Sequence, residues 1–209
     1  MSVEWRVEKM QISFIRHGRS NRVTESMTAP VFHEWMKQYD LNGVVKGTDV
    51  PIETIEAIES AKLIVTSDQK RAVQSAAELT DSLSFIQSSL FREAEVPSRF
   101  LVPKWVKCKP EVWIFLGRTF WMIGYSKDVE SYREVRGRAK QAADTLVGYA
   151  MVHAHVALVG HSYFNMMIGA ELRARGWSGP PIFHRKPWSC TVYTFHEAMN
   201  GNVLNTNFT

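Results

Sequence analysis

The sequence predicts an α/β protein, a three-layer α/β/α sandwich built around one mostly parallel sheet. Two observations predict it. Short runs rich in β-branched residues alternate along the chain with stretches of helical periodicity, the order expected when helices cover both faces of a sheet. Those runs are bounded by polar residues or Gly, as buried parallel strands are. A third observation sets the scale. The 209 residues are 45% hydrophobic and 22% charged, with no internal repeat, low-complexity tract or Gly/Ser linker, so a single domain over 1–209 is expected.

The elements follow in order. Gln11–Ile15 (QISFI) reads as the first strand, Lys62–Thr66 (KLIVT) as the second, Val156–Val159 (VALV) as the third and Thr191–Phe195 (TVYTF) as the fourth. Pro51–Ala61 opens with Pro and spaces Ile52, Ile55 and Ile58 by three, a helix. Gln69–Leu79 places Ala72, Ala76 and Leu79 on one helical side. Asp128–Met151 is a long charged helix with Val135, Ala139, Ala142 and Leu146 at helical spacing. Phe164–Arg175 forms a last helix that stops at Gly176.

Composition excludes several classes of function. A formal charge of +4 is mildly basic, and no concentrated basic patch or recognition motif for nucleic acid accompanies it. The apolar stretch Val112–Tyr125 is broken by Arg118 and is shorter than the ~20 residues of a spanning helix. Met1–Met10 carries Glu4, Arg6, Glu8 and Lys9 without an apolar core, unlike a signal peptide. Cys108 and Cys190 fit no zinc or CxxC spacing. The expectation is a cytoplasmic protein with free thiols, no bound metal or cofactor, and neither a membrane nor a nucleic acid as partner.

Ligands of open α/β sheets bind beyond the carboxyl ends of the strands. After QISFI come Arg16, His17, Gly18, Arg19 and Ser20. After KLIVT come Ser67 and Asp68, then Lys70 and Arg71 in the first turn of a helix. After VALV come Gly160, His161 and Ser162. Any one of these residues alone suits an ordinary structural or solvated role. Their convergence at one edge of the sheet is what an anion site needs.

These segments resemble the histidine phosphatase superfamily, the phosphoglycerate-mutase-like proteins. Arg16-His17-Gly18 resembles the RHG signature after the first strand, and Ser67–Ala76 is similar to the S-P-x-x-R-A-x-Q-T-A segment. Phe91-Arg92-Glu93 falls where the family carries its acidic residue, and Gly160-His161-Ser162 resembles the second histidine motif. Arg19, Asp68 and Ser162 depart from the commoner Glu, Pro and Gly of the family.

The resemblance implies His17 as a nucleophile that becomes transiently phosphorylated. It implies Arg16 and Arg71 as phosphate clamps, His161 as a further donor, and close backbone approach at Gly18, with Ser162 beside the same ligand. Glu93 is implied as general acid and then base, with Glu95 as the alternative, since an extended Glu93-Ala94-Glu95 sets both carboxylates on one side. The implied activity is metal-independent hydrolysis of a small phosphomonoester. A phosphomutase and a non-catalytic phosphate-ligand-binding protein are the alternatives.

The same resemblance implies a cap or insert around 94–127. There Phe100–Tyr125 interleaves Trp105, Trp113, Phe115, Phe120, Trp121 and Tyr125 with Lys104, Lys107, Lys109 and Arg118. Most of these aromatics are expected in a core or a homo-oligomer face, with a leaving-group pocket as the functional reading. His153 and His155 are two apart but have no third ligand nearby. His33, His184 and His196 have no evident partner.

Overall fold

A computed structural model describes residues 9–80, 85–103, 105–181 and 186–196. Lys104 and His184 lie outside the described residues. Strand β1 (Lys9–Arg16) is followed by β2 (Met27–Thr28), α1 (Ala29–Leu41), α2 (Ile52–Ser60), β3 (Leu63–Ser67), α3 (Lys70–Leu79) and β4 (Ile86–Ser88). Then come β5 (Lys107–Cys108), α4 (Pro110–Met122), α5 (Tyr132–His153), β6 (His155–Gly160), α6 (Ser162–Ala174) and β7 (Cys190–His196). The main sheet runs in the order β4-β3-β6-β1-β7. Its first four strands are parallel neighbours, and only β7 runs antiparallel, against β1.

The period of two in each strand divides the core between the two faces. Ile12 and Phe14 of β1, with Val156 and Leu158 of β6, pack under Val135, Ala139, Ala142 and Leu146 of α5 and under Phe164, Ile168 and Leu172 of α6. Ile15, Ala157 and Val159 face the opposite way, towards Ala57 and Ile58 of α2 and Ala76 of α3. Each large aliphatic or aromatic side chain buried in this way contributes roughly 1.5–3 kcal/mol.

The four expected strands, four helices and the sandwich are observed, with differences that have local causes. The long helix starts at Tyr132 rather than Asp128, because Ser131 and Glu134 form a reciprocal capping box there. Helix α2 turns Thr54, Ala57 and Ile58 inwards and leaves Ile52 exposed, so the spacing of three overstates its apolar face. The left-handed turn after α6 is taken by Gly176 at φ 87°. Strands β2, β4 and β5 and helix α1 have no counterpart in the sequence reading. The three strands span only two or three residues each, too short to show a period.

Helices α1 and α4 build a separate aromatic cluster from Phe32 and Trp113 with Trp35 and Phe100 against them. Trp113, Gly117 and Trp121 repeat every four residues along the buried side of α4. The two indoles donate to the carbonyls of Met27 and Glu130 at 2.8 and 2.7 Å. Trp105 and Phe115 are exposed, so the aromatic segment is divided between core and surface. Among the described residues, no helix is long and apolar enough to cross a membrane.

Candidate active site

Four adjacent parallel strands deliver the chemistry at their carboxyl ends. Arg16 of β1 lies opposite Gly160 of β6 in the ladder, so the residues that follow, His17 and His161, emerge side by side. Their ring centroids are 5.2 Å apart, and both rings are buried. Strand β3 leads into the first turn of α3, which carries Arg71. Strand β4 leads through a short 3₁₀ turn, Ser89–Phe91, to Glu93.

Hydrogen bonds set the two imidazoles in opposite tautomers. His17 Nδ1 lies 2.8 Å from the carbonyl oxygen of Gly18. A carbonyl only accepts, so Nδ1 carries the proton and Nε2 keeps its lone pair. Arg71 Nε donates to His161 Nδ1 at 3.3 Å, which leaves the proton of neutral His161 on Nε2. That Nε2 is buried and has no partner among the described residues. One ring therefore offers a nucleophile and its neighbour a donor.

The electrostatics keep both rings neutral. Burial lowers His17 well below the ordinary histidine range, and the charges of Arg71, Arg16 and Arg22 lower it further. Burial does the same to His161, assisted by Arg71. Residues with no sequence signal, Asp40 above all, hold the Arg71 that contributes to this field. Arg71 is fully buried, and its guanidinium donates to Asp40 Oδ1 (3.2 Å), the Tyr39 carbonyl (3.3 Å) and Gln69 Oε1 (3.1 Å). Asp40 and Tyr39 lie on α1, which the sequence pattern does not show, whereas Gln69 stands inside the segment that carries Arg71.

The other predicted residues fall around this pair. Gly18 N–H donates to Ser75 Oγ at 2.8 Å, and the Trp188 ring packs where a Cβ on Gly18 would stand. Arg16 Nε and Ser162 Oγ are buried without partners among the described residues, as is Ser20 Oγ. Glu93 is seated on the start of α6. Its Oε1 accepts from the backbone N–H of Ala94 and of Phe164, both at 2.9 Å, while Oε2 has one long contact, 3.4 Å from Tyr163 N. Gln69 Oε1 also accepts from Glu93 N–H at 3.2 Å, tying the Glu93 segment to Arg71. Glu95 is exposed, with a 3.4 Å contact from Glu130 N to its Oε2.

Arg118 turns to the backbone carbonyls of Ala94 and Glu95 and stacks on Trp121 and Tyr163, so it braces the segment after Glu93. Two discounted histidines do have partners. His33 Nδ1 is 2.8 Å from Ser98 Oγ, and His155 Nε2 is 2.9 Å from Ser13 Oγ. No group of three or more His, Cys, Asp or Glu is placed to hold a metal among the described residues.

The buried Arg71 guanidinium, the half-buried Arg16, an imidazole N–H and the Ser162 hydroxyl, grouped around an imidazole lone pair, are the kinds of donor a tetrahedral oxyanion would need. Comparisons with known proteins agree in fold. A phosphoglycerate mutase from Bacillus anthracis superposes with a TM-score of 0.60 at 15% identity, over 91% of this chain and 89% of its own. A mycobacterial glucosyl-3-phosphoglycerate phosphatase does so with a TM-score of 0.57 at 16% identity, over 90% and 91%. A comparison with curated proteins finds no match. The sequence profile of the histidine phosphatase superfamily (branch 1) matches residues 52–207, a span that holds Arg71, Glu93 and His161; Arg16, His17 and Gly18 lie outside it, on its N-terminal side. Since that match covers well over half of the chain, and the fold agrees with it, this protein belongs to the histidine phosphatase superfamily.

Proposed function

We propose that the chain is a metal-independent phosphomonoesterase that works through a phosphohistidine at His17. The observation that carries this reading is the pair of tautomers: an imidazole lone pair at His17 Nε2 beside a buried, unpartnered N–H at His161 Nε2. In the first step His17 Nε2 forms a bond to phosphorus as the bond to the leaving oxygen breaks. The Glu93 carboxyl gives its proton to that oxygen. Arg16, Arg71 and His161 hold the equatorial oxygens, where positioning and charge stabilisation supply most of the catalysis. In the second step the Glu93 carboxylate takes a proton from water, oxygen bonds to phosphorus, and the P–N bond breaks to release phosphate. Ser162 sits at the same pocket as a hydroxyl donor.

Neutral His17 favours this role because protonation would remove the nucleophile, and burial opposes protonation. The test is release of inorganic phosphate from a panel of phosphomonoesters in EDTA, for wild type and His17→Ala. Turnover that survives chelation and disappears in the variant is expected, with an acid-labile phosphoryl group trapped on wild type by rapid quench. Retained turnover in His17→Ala would overturn the assignment. Phosphoryl transfer to a second substrate molecule in place of release would make the protein a mutase.

A further inference from the structure

Arg71 and Glu93 follow different strands of the sheet, and one side chain meets both. Gln69 stands two residues before Arg71, at the cap of α3. Its Oε1 accepts from Arg71 Nη2 at 3.1 Å and from the backbone N–H of Glu93 at 3.2 Å. Its Nε2 lies 3.5 Å from Asp40 Oδ1, the oxygen that also takes Arg71 Nη1. These partners fix the orientation of the amide. The opposite flip would set its NH₂ against a guanidinium and a peptide N–H, both of which only donate.

The Glu93 segment is held at three points. Arg138 Nη1 donates to the Arg92 carbonyl at 2.8 Å, and Arg118 donates to the carbonyls of Ala94 and Glu95. Those two arginines fix the chain before and after Glu93, from α5 and α4. Gln69 holds the Glu93 peptide itself, and of these three residues it is the one that also holds the phosphate clamp. Glu93 Oε1 is taken by the N–H groups of Ala94 and Phe164, which leaves Oε2 to carry the proton. Acid and clamp must be in register, because the leaving oxygen and the equatorial oxygens belong to one phosphoryl group.

We infer that Gln69 is a positioning residue that sets the Glu93 carboxyl against the phosphoryl group held by Arg71, a role that rests on the phosphatase reading above. Without Gln69, Arg71 keeps its bonds to Asp40, the Tyr39 carbonyl and His161, so loss of the amide releases mainly the Glu93 side.

Leaving-group dependence separates the acid from the clamp. A clamp acts on every phosphomonoester alike, whereas proton donation matters more as the leaving oxygen becomes more basic. p-Nitrophenyl, phenyl and 4-methylphenyl phosphates are similar in shape and differ in that basicity. Wild-type kcat/KM should vary little along the series, and in Glu93→Gln it should fall steeply towards the basic phenols. Gln69→Met, close in length but without polar atoms, should steepen it too. Phenyl phosphate should lose about tenfold more than p-nitrophenyl phosphate, a part of the roughly 10²–10⁴-fold that a general acid supplies. In the Glu93→Gln background Gln69→Met should add no further steepening. Gln69→Glu, which keeps an acceptor for both donors, should stay shallow, and melting curves verify that each variant is folded. An even loss along the series in folded Gln69→Met would overturn the inference by assigning Gln69 to the clamp or the fold alone, and would leave the phosphatase reading standing. Further steepening in the double variant would overturn it in the same way. A Glu93→Gln protein as shallow as wild type would remove the acid on which the inference stands, and a wild type inactive on all three esters would overturn both readings together.

Discussion

Replacing Gly18 by Ala should damage stability and activity through one contact. A Cβ at position 18 would lie 2.8 Å from Trp188 Cε2 and 2.9 Å from Cη2, with Cζ2 closer still. Carbon contacts settle at about 3.5–4.0 Å, so the indole would have to recede by roughly 1 Å. It has little room to do so. The ring is 1% exposed, its N–H donates to Thr48 Oγ1 at 2.7 Å, and the Trp188 carbonyl accepts from Thr54 Oγ1. Trp188 also sits at φ 61°, a left-handed conformation that a bulky residue keeps only when its surroundings hold it.

Overpacking costs about 1–3 kcal/mol, and a disturbed indole hydrogen bond adds about 1. A loss of about 3 kcal/mol lowers the melting temperature by roughly 6–12 °C in a domain of this size. Activity should fall as well, because the Gly18 carbonyl fixes the His17 tautomer and Gly18 N–H is bound to Ser75. A displacement near 1 Å at the nucleophile can cost about 10²-fold in rate. Urea unfolding and p-nitrophenyl phosphate turnover measure the two effects. Trp188→Leu should make room for the new methyl, so the double variant should lose less stability than the two single changes summed. A Gly18→Ala protein within about 0.5 kcal/mol of wild type, or strictly additive costs, would refute the packing argument.

Two further outcomes follow from the site. His17 and His161 are held neutral well below the ordinary histidine pKa, first by burial and then by neighbouring arginines, so kcat/KM should not fall through pH 6.5 on their account. Both pKa values are lowered by folding, so their contribution to stability is complete above about pH 6.5 and is lost as pH falls below it. Urea titrations at several pH values should show that decline, and a flat profile would contradict buried neutral rings. Arg138→Met should cost about 1–2 kcal/mol, because it leaves the half-exposed Glu130 and the carbonyls of Leu90 and Arg92 without their partner. It should also lower kcat, since the freed Arg92 carbonyl adjoins Glu93; Arg138→Lys should rescue little, lacking the fork.

How far the sequence reaches depends on what each feature requires. Strand ends that carry Arg16, His17 and His161 are visible because buried parallel strands need apolar runs and the residues after them are polar. The long helix is visible for the same reason, through Val135, Ala139, Ala142 and Leu146. Strand β4, with Ile86–Ser88, is not, since three residues at the sheet edge hold no period of their own and pair only because β3 lies beside them.

The sequence by itself determined the α/β class, the alternation of elements and the segments that carry histidine, arginine and glutamate. Only the tertiary structure decided how these residues act on one another. The opposite tautomers of His17 and His161, the buried Arg71 held by Asp40 from α1, and Glu93 seated on the start of α6 all arise between residues far apart in the chain. Periodicity reports which side of an element is dry. Proton placement and charge balance depend on distances between elements, and those exist only once the sheet has brought its strand ends together.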